Sequence, residues 1–451
     1  MLDRYLLYAP ASRLLAAVNT AGVREAKSYL ASRRLRGGLA SEVKTVLRDL
    51  GAADPDWPWL EPAPLDPVFL GIIPSRRCNM SCRYCDFRAT RGAGGTVMAP
   101  ATATAAIDFI AEHCERRGQS RYRIQLFGGE PMVEDLIVDT VVHHALHLAT
   151  ATGVVPTFVV STNGLLTEPR LRFVGDYFDQ VVVSIDGFRE LHDRYRPITE
   201  NQGSFAAVYR TAKWLSTASA ELCLRCCVTA DSVHHLESIA AWFCEELSPA
   251  VVNFEPLTES AESREAGLVP PHPYDFARHS LRAWNVLRSY GCEPACAAVL
   301  THGLQGSSCP VGKDALIVHP NGTLASCYLE PQQWEYRGLD LSVGHVEVDG
   351  QVQLRMPDVM RLRRVAETKQ RCAGCFCRLT CAGGCHVNNT YPQCSTAYGD
   401  FCLHTRILTA CGLLEQLGYP EMADQLVTDP DAMDALSRFP SDRIEDFNEA
   451  P

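Results

Sequence analysis

The sequence predicts an α/β fold: a TIM-like but open, partial (β/α)6 barrel, flanked by a small, mainly helical N-terminal region and a cysteine-rich C-terminal domain. Three observations predict it. Short apolar runs alternate with helical segments from residue 67 onward, the glycine-rich and polar punctuation follows the strands, and the 20 cysteines gather mainly in two places. Strand then helix, repeated, implies a parallel sheet. Six such units fall short of the eight of a closed barrel.

Taken in order, residues 1–65 read as mainly helical and then as a linker through Asp54, Pro55, Trp57, Pro58, Trp59, Pro62 and Pro64. Strands are expected at 68–73, 122–127, 157–161, 180–185, 221–229 and 250–255, and helices near 101–117, 133–151, 168–177, 204–217 and 233–247. Residues 66–290 would form the barrel, 291–410 the cysteine-rich domain, and 411–451 a helix with an acidic tail from Asp429 to Glu449.

The punctuation then acquires a meaning. The first strand runs into a cysteine loop, the second ends in Gly128-Gly129-Glu130-Pro131 and the third in Ser161-Thr162-Asn163-Gly164. The fourth ends in Ser184-Ile185-Asp186-Gly187 and the sixth in Phe254-Glu255-Pro256-Leu257. Carboxyl ends of parallel strands meet at one face, where barrel enzymes build their sites.

At 451 residues, 46% of them apolar, the chain suits two or three domains. A net charge of -11 without a strongly basic face argues against a nucleic-acid partner. No apolar run approaches a bilayer span, and Arg4 and Arg13 interrupt the apolar start that a signal peptide would need, so a cytoplasmic protein without a membrane partner is expected. In that compartment the cysteines do not read as a disulfide framework, and metal or cluster ligation is the leading explanation. Cys114, Cys223, Cys226, Cys227 and Cys244 fall in strand-like or helix-like segments and are assigned to the core.

Cys78-x3-Cys82-x2-Cys85 follows a buried strand. Three thiolates so spaced can hold three corners of a cubane and leave its fourth iron open, although a zinc site uses similar spacing. With Tyr84 just before the last cysteine, this segment resembles the signature of the radical S-adenosylmethionine (SAM) superfamily. The resemblance implies a 4Fe-4S cluster whose open iron takes the amino and carboxylate groups of SAM, and reductive cleavage of SAM to a 5′-deoxyadenosyl radical. It also implies that Gly128, Gly129, Glu130 and Pro131 contact the SAM amino group. The glycines would allow a close backbone approach, and Glu130 would complement an ammonium. Ser184 is expected near the SAM carboxylate and ribose. Ser161 and Asn163 lie on the adjoining tip, where Asn163-Gly164 reads equally as a turn. Arg196 resembles a carboxylate partner and reads equally as a surface arginine.

Further along stand Cys309-x12-Gly322-x4-Cys327, then Cys372-x2-Cys375-x5-Cys381-x3-Cys385, then Cys402. Several independent spacings agree with the SPASM domain of peptide-modifying radical SAM enzymes, which this array resembles. The resemblance implies two auxiliary 4Fe-4S clusters: Cys309, Cys327 and Cys385 on the first, and Cys372, Cys375, Cys381 and Cys402 on the second. The first then lacks a fourth ligand, because residues 303–308 contain no cysteine. Cys296, Cys292 or an open iron are the alternatives. Cys377 and Cys394 are read as spare thiols, although Cys377 sits within the array and could substitute. Paired Cys-x2-Cys is also zinc-ribbon spacing.

The resemblance spans roughly residues 66–405 and implies hydrogen-atom removal from a precursor peptide or protein, followed by a crosslink or other oxidation, with a flavodoxin or ferredoxin as electron donor. Sulfatase-maturing members carry an aspartate after the cysteine that matches Cys327, where this chain has Tyr328. A radical dehydrogenase for a small molecule and a non-catalytic electron carrier are the other readings. Candidate bases are Glu255, Asp186, Tyr328 and Glu330. Arg24, Lys27, Arg33, Arg34 and Arg36 would suit an acidic leader peptide, or form the solvated face of a helix.

Overall fold

The computed structural model describes residues 5–9, 14–35, 41–50, 66–85 and 87–438, the last span interrupted at 88–89, 92–94, 200–201, 298, 300–308, 310, 312–314, 336–337, 366–368, 370–371, 373 and 388–397. The expected linker, Arg36, Cys394 and the end of the acidic tail lie outside the described residues.

The described N-terminal residues are mainly helical, as expected, but a hairpin that was not expected precedes the helices. The hairpin consists of β1 (Tyr5–Ala9) and β2 (Leu14–Val18), in register from Tyr5 opposite Val18 to Ala9 opposite Leu14. Short continuous apolar runs carry no period that separates strand from helix. Helices α1 (Thr20–Ser32) and α2 (Ser41–Leu50) follow, and the Asn19 side chain caps α1 by accepting from the Gly22 N–H at 2.9 Å.

The six expected strands and five expected helices are all present, and further helices and a strand join them. Strand β3 (Phe69–Ile72) leads into the short pair β4 (Arg77–Cys78) and β5 (Thr90–Arg91), and then α3 (Pro100–Arg116) crosses to β6 (Arg121–Leu126). The next units are α4 (Asp135–Thr152), β7 (Val155–Thr162), α5 (Glu168–Tyr177), β8 (Gln180–Ser184), α6 (Arg189–Tyr195), α7 (Phe205–Leu215) and β9 (Glu221–Val228). They continue through α8 (Leu236–Leu247), β10 (Val251–Pro256), α9 (Ala261–Glu265), α10 (Pro273–Ser289) and β11 (Glu293–Ala295). Strands β3, β6, β7, β8, β9, β10 and β11 pair as parallel neighbours in that order. Strand β3 is covered on both faces, which is why it reads as a near-continuous apolar run.

The sheet does not stop at β11. On its other side β12 (Ala315–Val318) pairs in parallel with β3, Ala315 opposite Phe69. It is extended by β13 (Thr323–Ala325), and, after α11 (Pro331–Glu335), by β14 (Ser342–Val346) and β15 (Val352–Leu354), all antiparallel. Residues from the cysteine-rich part are thus hydrogen-bonded into the barrel sheet. Helices α12 (Met356–Arg363), α13 (Arg378–Cys381), α14 (Asp400–Gln416), α15 (Pro420–Thr428) and α16 (Pro430–Ala435) follow, with α14 and α15 packed against α10. Cys114, Cys223, Cys226 and Cys244 are buried in the core, as expected. Cys227 is the exception: it is half-buried and faces the cavity described next. Among the described residues no helix is long and apolar enough to cross a membrane.

Candidate functional site

One cavity of about 920 Å³ opens at the carboxyl ends of the strands. Cys78, Cys82 and Cys85 line one side of it, and Cys309, Cys327 and Cys385 also face it. The cysteine loop is stitched in place by its backbone: Ser81 N–H donates to Pro197 O at 2.8 Å, and Arg83 N–H to Tyr195 O at 2.9 Å. Donors are aimed at its first sulfur, from Met80 N–H at 3.4 Å and Asn163 Nδ2 at 3.5 Å from Cys78 Sγ. Burial pushes the Cys78 and Cys82 thiols up to about 11 and about 12. A bare thiolate is therefore disfavoured here, and a bound cation or cluster is what would stabilise it.

Gly128 and Gly129 line the cavity, but the space they save lies on the other side. A Cβ on Gly128, where φ is +150°, would stand 2.7 Å from Ser75 O, and one on Gly129 would sit on the carbonyl oxygens of Arg76 and Arg77. The two glycines thus let the second tip press against the strand that carries the cysteine loop. Glu130 corrects the sequence expectation as well. It is 1% exposed and turned into the protein, where its carboxylate accepts from Met132 N–H at 3.1 Å, Thr162 Oγ1 at 2.9 Å and Asn163 N–H at 2.6 Å. Instead of offering its charge to an ammonium, it ties the β6 tip to the β7 tip. Burial raises its pKa to about 7. Pro131 is buried beneath it. Asn163 continues the tie: Nδ2 donates to Asn79 Oδ1 at 2.7 Å, and Oδ1 accepts from Leu165 N–H at 2.8 Å. Ser161, Asn163 and Ser184 all face the cavity.

Asp186 does not have the accessibility of a base. It is wholly buried and its oxygens are engaged, Oδ2 accepting from Tyr84 OH at 2.5 Å and Arg196 Nε at 2.9 Å, and Oδ1 from Cys227 N–H at 3.0 Å. Arg196 is accordingly a cavity residue and not a surface arginine, 8% exposed with Nη1 at 4.0 Å from Cys82 Sγ. His192 locks this corner. Its Nδ1 accepts from Asp186 N–H at 3.2 Å, so Nε2 keeps the proton and donates to Ser204 Oγ at 2.9 Å, which donates to Arg196 O at 2.5 Å. Burial lowers its pKa to about 4.

The remaining base candidates separate. Glu330 lies in an ion pair with Arg76 at 2.5 Å and is not on the cavity wall. Tyr328 faces the cavity, with its ring 4.7 Å from that of Phe127 and its hydroxyl donating to Gln125 Oε1 at 3.1 Å. Burial raises the pKa of that hydroxyl. Glu255 faces the cavity beside Arg225, and accepts from Ala297 N–H at 2.9 Å. Burial raises its carboxyl pKa against the pull of Arg225. Cys296 does not line the cavity with Cys309, Cys327 and Cys385. Its buried thiol is acted on by Glu255 and by Cys381.

A second, smaller cavity of about 20 Å³ is lined by Cys372, Cys375, Cys381 and Cys402, with Cys377 among them. Two basic residues that the spacing could not single out serve it. Arg406 donates from Nη1 to Cys375 Sγ at 2.9 Å and helps hold that thiol below the usual thiol range, after the larger effect of its hydrogen bond with Cys377. Lys369 Nζ donates to Gly383 O at 2.7 Å and Cys385 O at 3.1 Å. Among the described residues no group of three or more His, Cys, Asp or Glu is arranged to hold one metal ion.

Residues 72–236 match the family model of the radical SAM superfamily. The fold is similar to that of anSMEcpe, solved with bound AdoMet and the Kp18Cys peptide, at 17% identity and a TM-score of 0.57 over 77% of this chain and 99% of that one. It is also similar to SuiB of Streptococcus suis bound to S-adenosylmethionine, at 15% identity and a TM-score of 0.51 over 81% of this chain and 84% of that one. SuiB has further been solved with its precursor peptide SuiA, and there the match is 15% identical with a TM-score of 0.50 over 72% of this chain and 73% of that one. At such identities the likeness is one of fold. No curated protein matches the sequence.

Proposed function

We propose that this chain, whose residues 72–236 are a radical SAM domain, is a maturase that oxidatively modifies a residue of a ribosomally made precursor peptide. The observation that carries the reading is the single cavity shared by Cys78, Cys82, Cys85, Ser184 and Arg196 with Cys309, Cys327 and Cys385. When bound, a 4Fe-4S cluster on the first three cysteines supplies, with SAM and one electron from a ferredoxin or flavodoxin, the 5′-deoxyadenosyl radical that removes a substrate hydrogen atom. The chain's own residues do the rest. Ser184 and Arg196 hold the SAM carboxylate, Asp186 and Tyr84 hold Arg196, and Glu130 and Asn163 keep two strand tips at a fixed distance from the cysteine loop.

Cys309, Cys327 and Cys385 hold one auxiliary cluster, and Cys372, Cys375, Cys381 and Cys402 the other. A peptide side chain enters between the first set and the SAM site, and the cavity's volume is at the upper end of what a single small ligand fills. Of the candidate bases, Glu255 is assigned the role. It alone among them combines a carboxylate, a place on the cavity wall and a raised pKa, so it can take the proton lost as a crosslink forms, and the electron left behind would go to an auxiliary cluster when one is bound. Similarity of fold to SuiB, which has been solved with a precursor peptide, supports a peptide over a small molecule.

The test is anaerobic reconstitution of the full chain, followed by iron and sulfide analysis and a reductive assay for 5′-deoxyadenosine. About 12 iron atoms per chain, the content of three cubanes, is expected, with deoxyadenosine formed only in the presence of SAM. Replacing Cys78, Cys82 and Cys85 by Ala should leave about eight iron atoms and no deoxyadenosine. Retained cleavage in that variant would reject the reading.

A further inference from the structure

We infer that His386 is the fourth protein ligand of the auxiliary cluster held by Cys309, Cys327 and Cys385. The inference rests on the proposed function, since it takes those three cysteines to hold a cluster.

The observations are independent of the cysteine spacing. His386 is 3% exposed, yet among the described residues neither Nδ1 nor Nε2 has a hydrogen-bond partner. A buried imidazole without partners is costly, because each orphaned polar atom loses its water and gains nothing in return. The other buried histidines near the site are engaged: His192 by Asp186 and Ser204, and His319 by Cys327 O at 3.0 Å. His386 is also on the wall of the large cavity, together with Cys309, Cys327 and Cys385 and next in the chain to Cys385. It stands on a turn that follows three residues with positive φ, Ala382, Gly383 and Gly384, so consecutive side chains here are not bound to the alternation of a strand.

The donor set is otherwise one short. Cys296, the nearest upstream cysteine, does not line the cavity. An imidazole nitrogen is a known substitute for thiolate on iron-sulfur clusters, and being neutral it raises the reduction potential. Either ring nitrogen of His386 can donate its lone pair to iron while the other keeps its proton. The arrangement makes this cluster fully ligated and leaves the SAM-side cluster with the open iron.

The experiment uses the reconstituted full-length protein grown with [15N]histidine, reduced with dithionite and read by pulsed EPR. A 15N imidazole coupling on one cluster, in place of the 14N coupling of unlabelled protein, is the expected result. In His386→Ala that coupling should vanish, and in His386→Cys it should vanish while the potential of that cluster shifts downward. A wild-type protein with about 12 iron atoms and no histidine coupling would overturn the inference alone, as would a coupling that survives in His386→Ala. Iron near four atoms per chain would overturn the inference together with the proposed function on which it rests. Because the wild-type spectrum decides by itself, a variant that fails to fold does not remove the test.

Discussion

Asp186 and Arg196 form an ion pair at the cavity wall, with Oδ2 2.9 Å from Nε and the carboxylate wholly buried. The pair fixes the guanidinium over the ring of Tyr84, 5.2 Å from its centroid, and beside Cys82. A buried pair of this kind adds little net stability, but breaking it strands a charge.

Asp186→Ala should therefore destabilise the protein by about 3–5 kcal/mol and weaken SAM binding. The urea midpoint of the anaerobic protein and a SAM titration measure both. Unchanged SAM affinity in a folded variant would mean that Arg196 does not hold the SAM carboxylate.

His192 makes stability depend on pH. Its folded pKa is lowered from 6.5 to about 4 by burial, so between these values the unfolded chain binds a proton that the folded chain refuses. This contribution is complete above pH 6.5 and is lost as pH falls toward 4, by about 3 kcal/mol in total. Urea midpoints between pH 7 and pH 5 should fall with pH, and less steeply in His192→Asn. Burial lowers the pKa of His319 and His404 in the same direction, so part of the slope remains in that variant.

Gly129→Ala should cost the protein its first cluster. The new methyl would sit on the carbonyl oxygens of Arg76 and Arg77, which are backbone and cannot swing away. The strand carrying Cys78 must then move. Iron should drop by about four atoms with the loss of deoxyadenosine formation, while the auxiliary signals stay.

Glu255→Gln and Tyr328→Phe should behave differently. The first should leave deoxyadenosine formation intact and abolish the modified product, because hydrogen-atom removal precedes proton loss. The second removes the donor to Gln125 Oε1 and should cost about 1 kcal/mol with product still made. Product formation measured by mass spectrometry decides between them, and full product in Glu255→Gln would move the base elsewhere.

The sequence by itself determined what is local. Strands at 69–72, 121–126 and 180–184 lie within a residue of where their apolar runs end, and the helix at 168–177 has the expected bounds. The tips that follow these strands converge because parallel strands all point one way, which is why Cys78, Ser161, Asn163, Ser184 and Glu255 were legible as site residues. The N-terminal hairpin was not legible, since Leu6, Leu7 and Leu14, Leu15 lie in short apolar runs that fit either state.

Only the tertiary structure decided which polar groups are accessible. Glu130 and Asp186 occupy positions where a sequence suggests a carboxylate for a ligand or a proton, yet backbone N–H groups and Arg196 consume both. Gly129 saves space for a neighbouring strand and not for a ligand, because what lies across from it is set by packing between segments distant in the chain. The same reason hides His386 and Arg406 from sequence reasoning. A side chain's partners, or its want of them, depend on elements that meet only after folding, and spacing along the chain carries no record of that meeting.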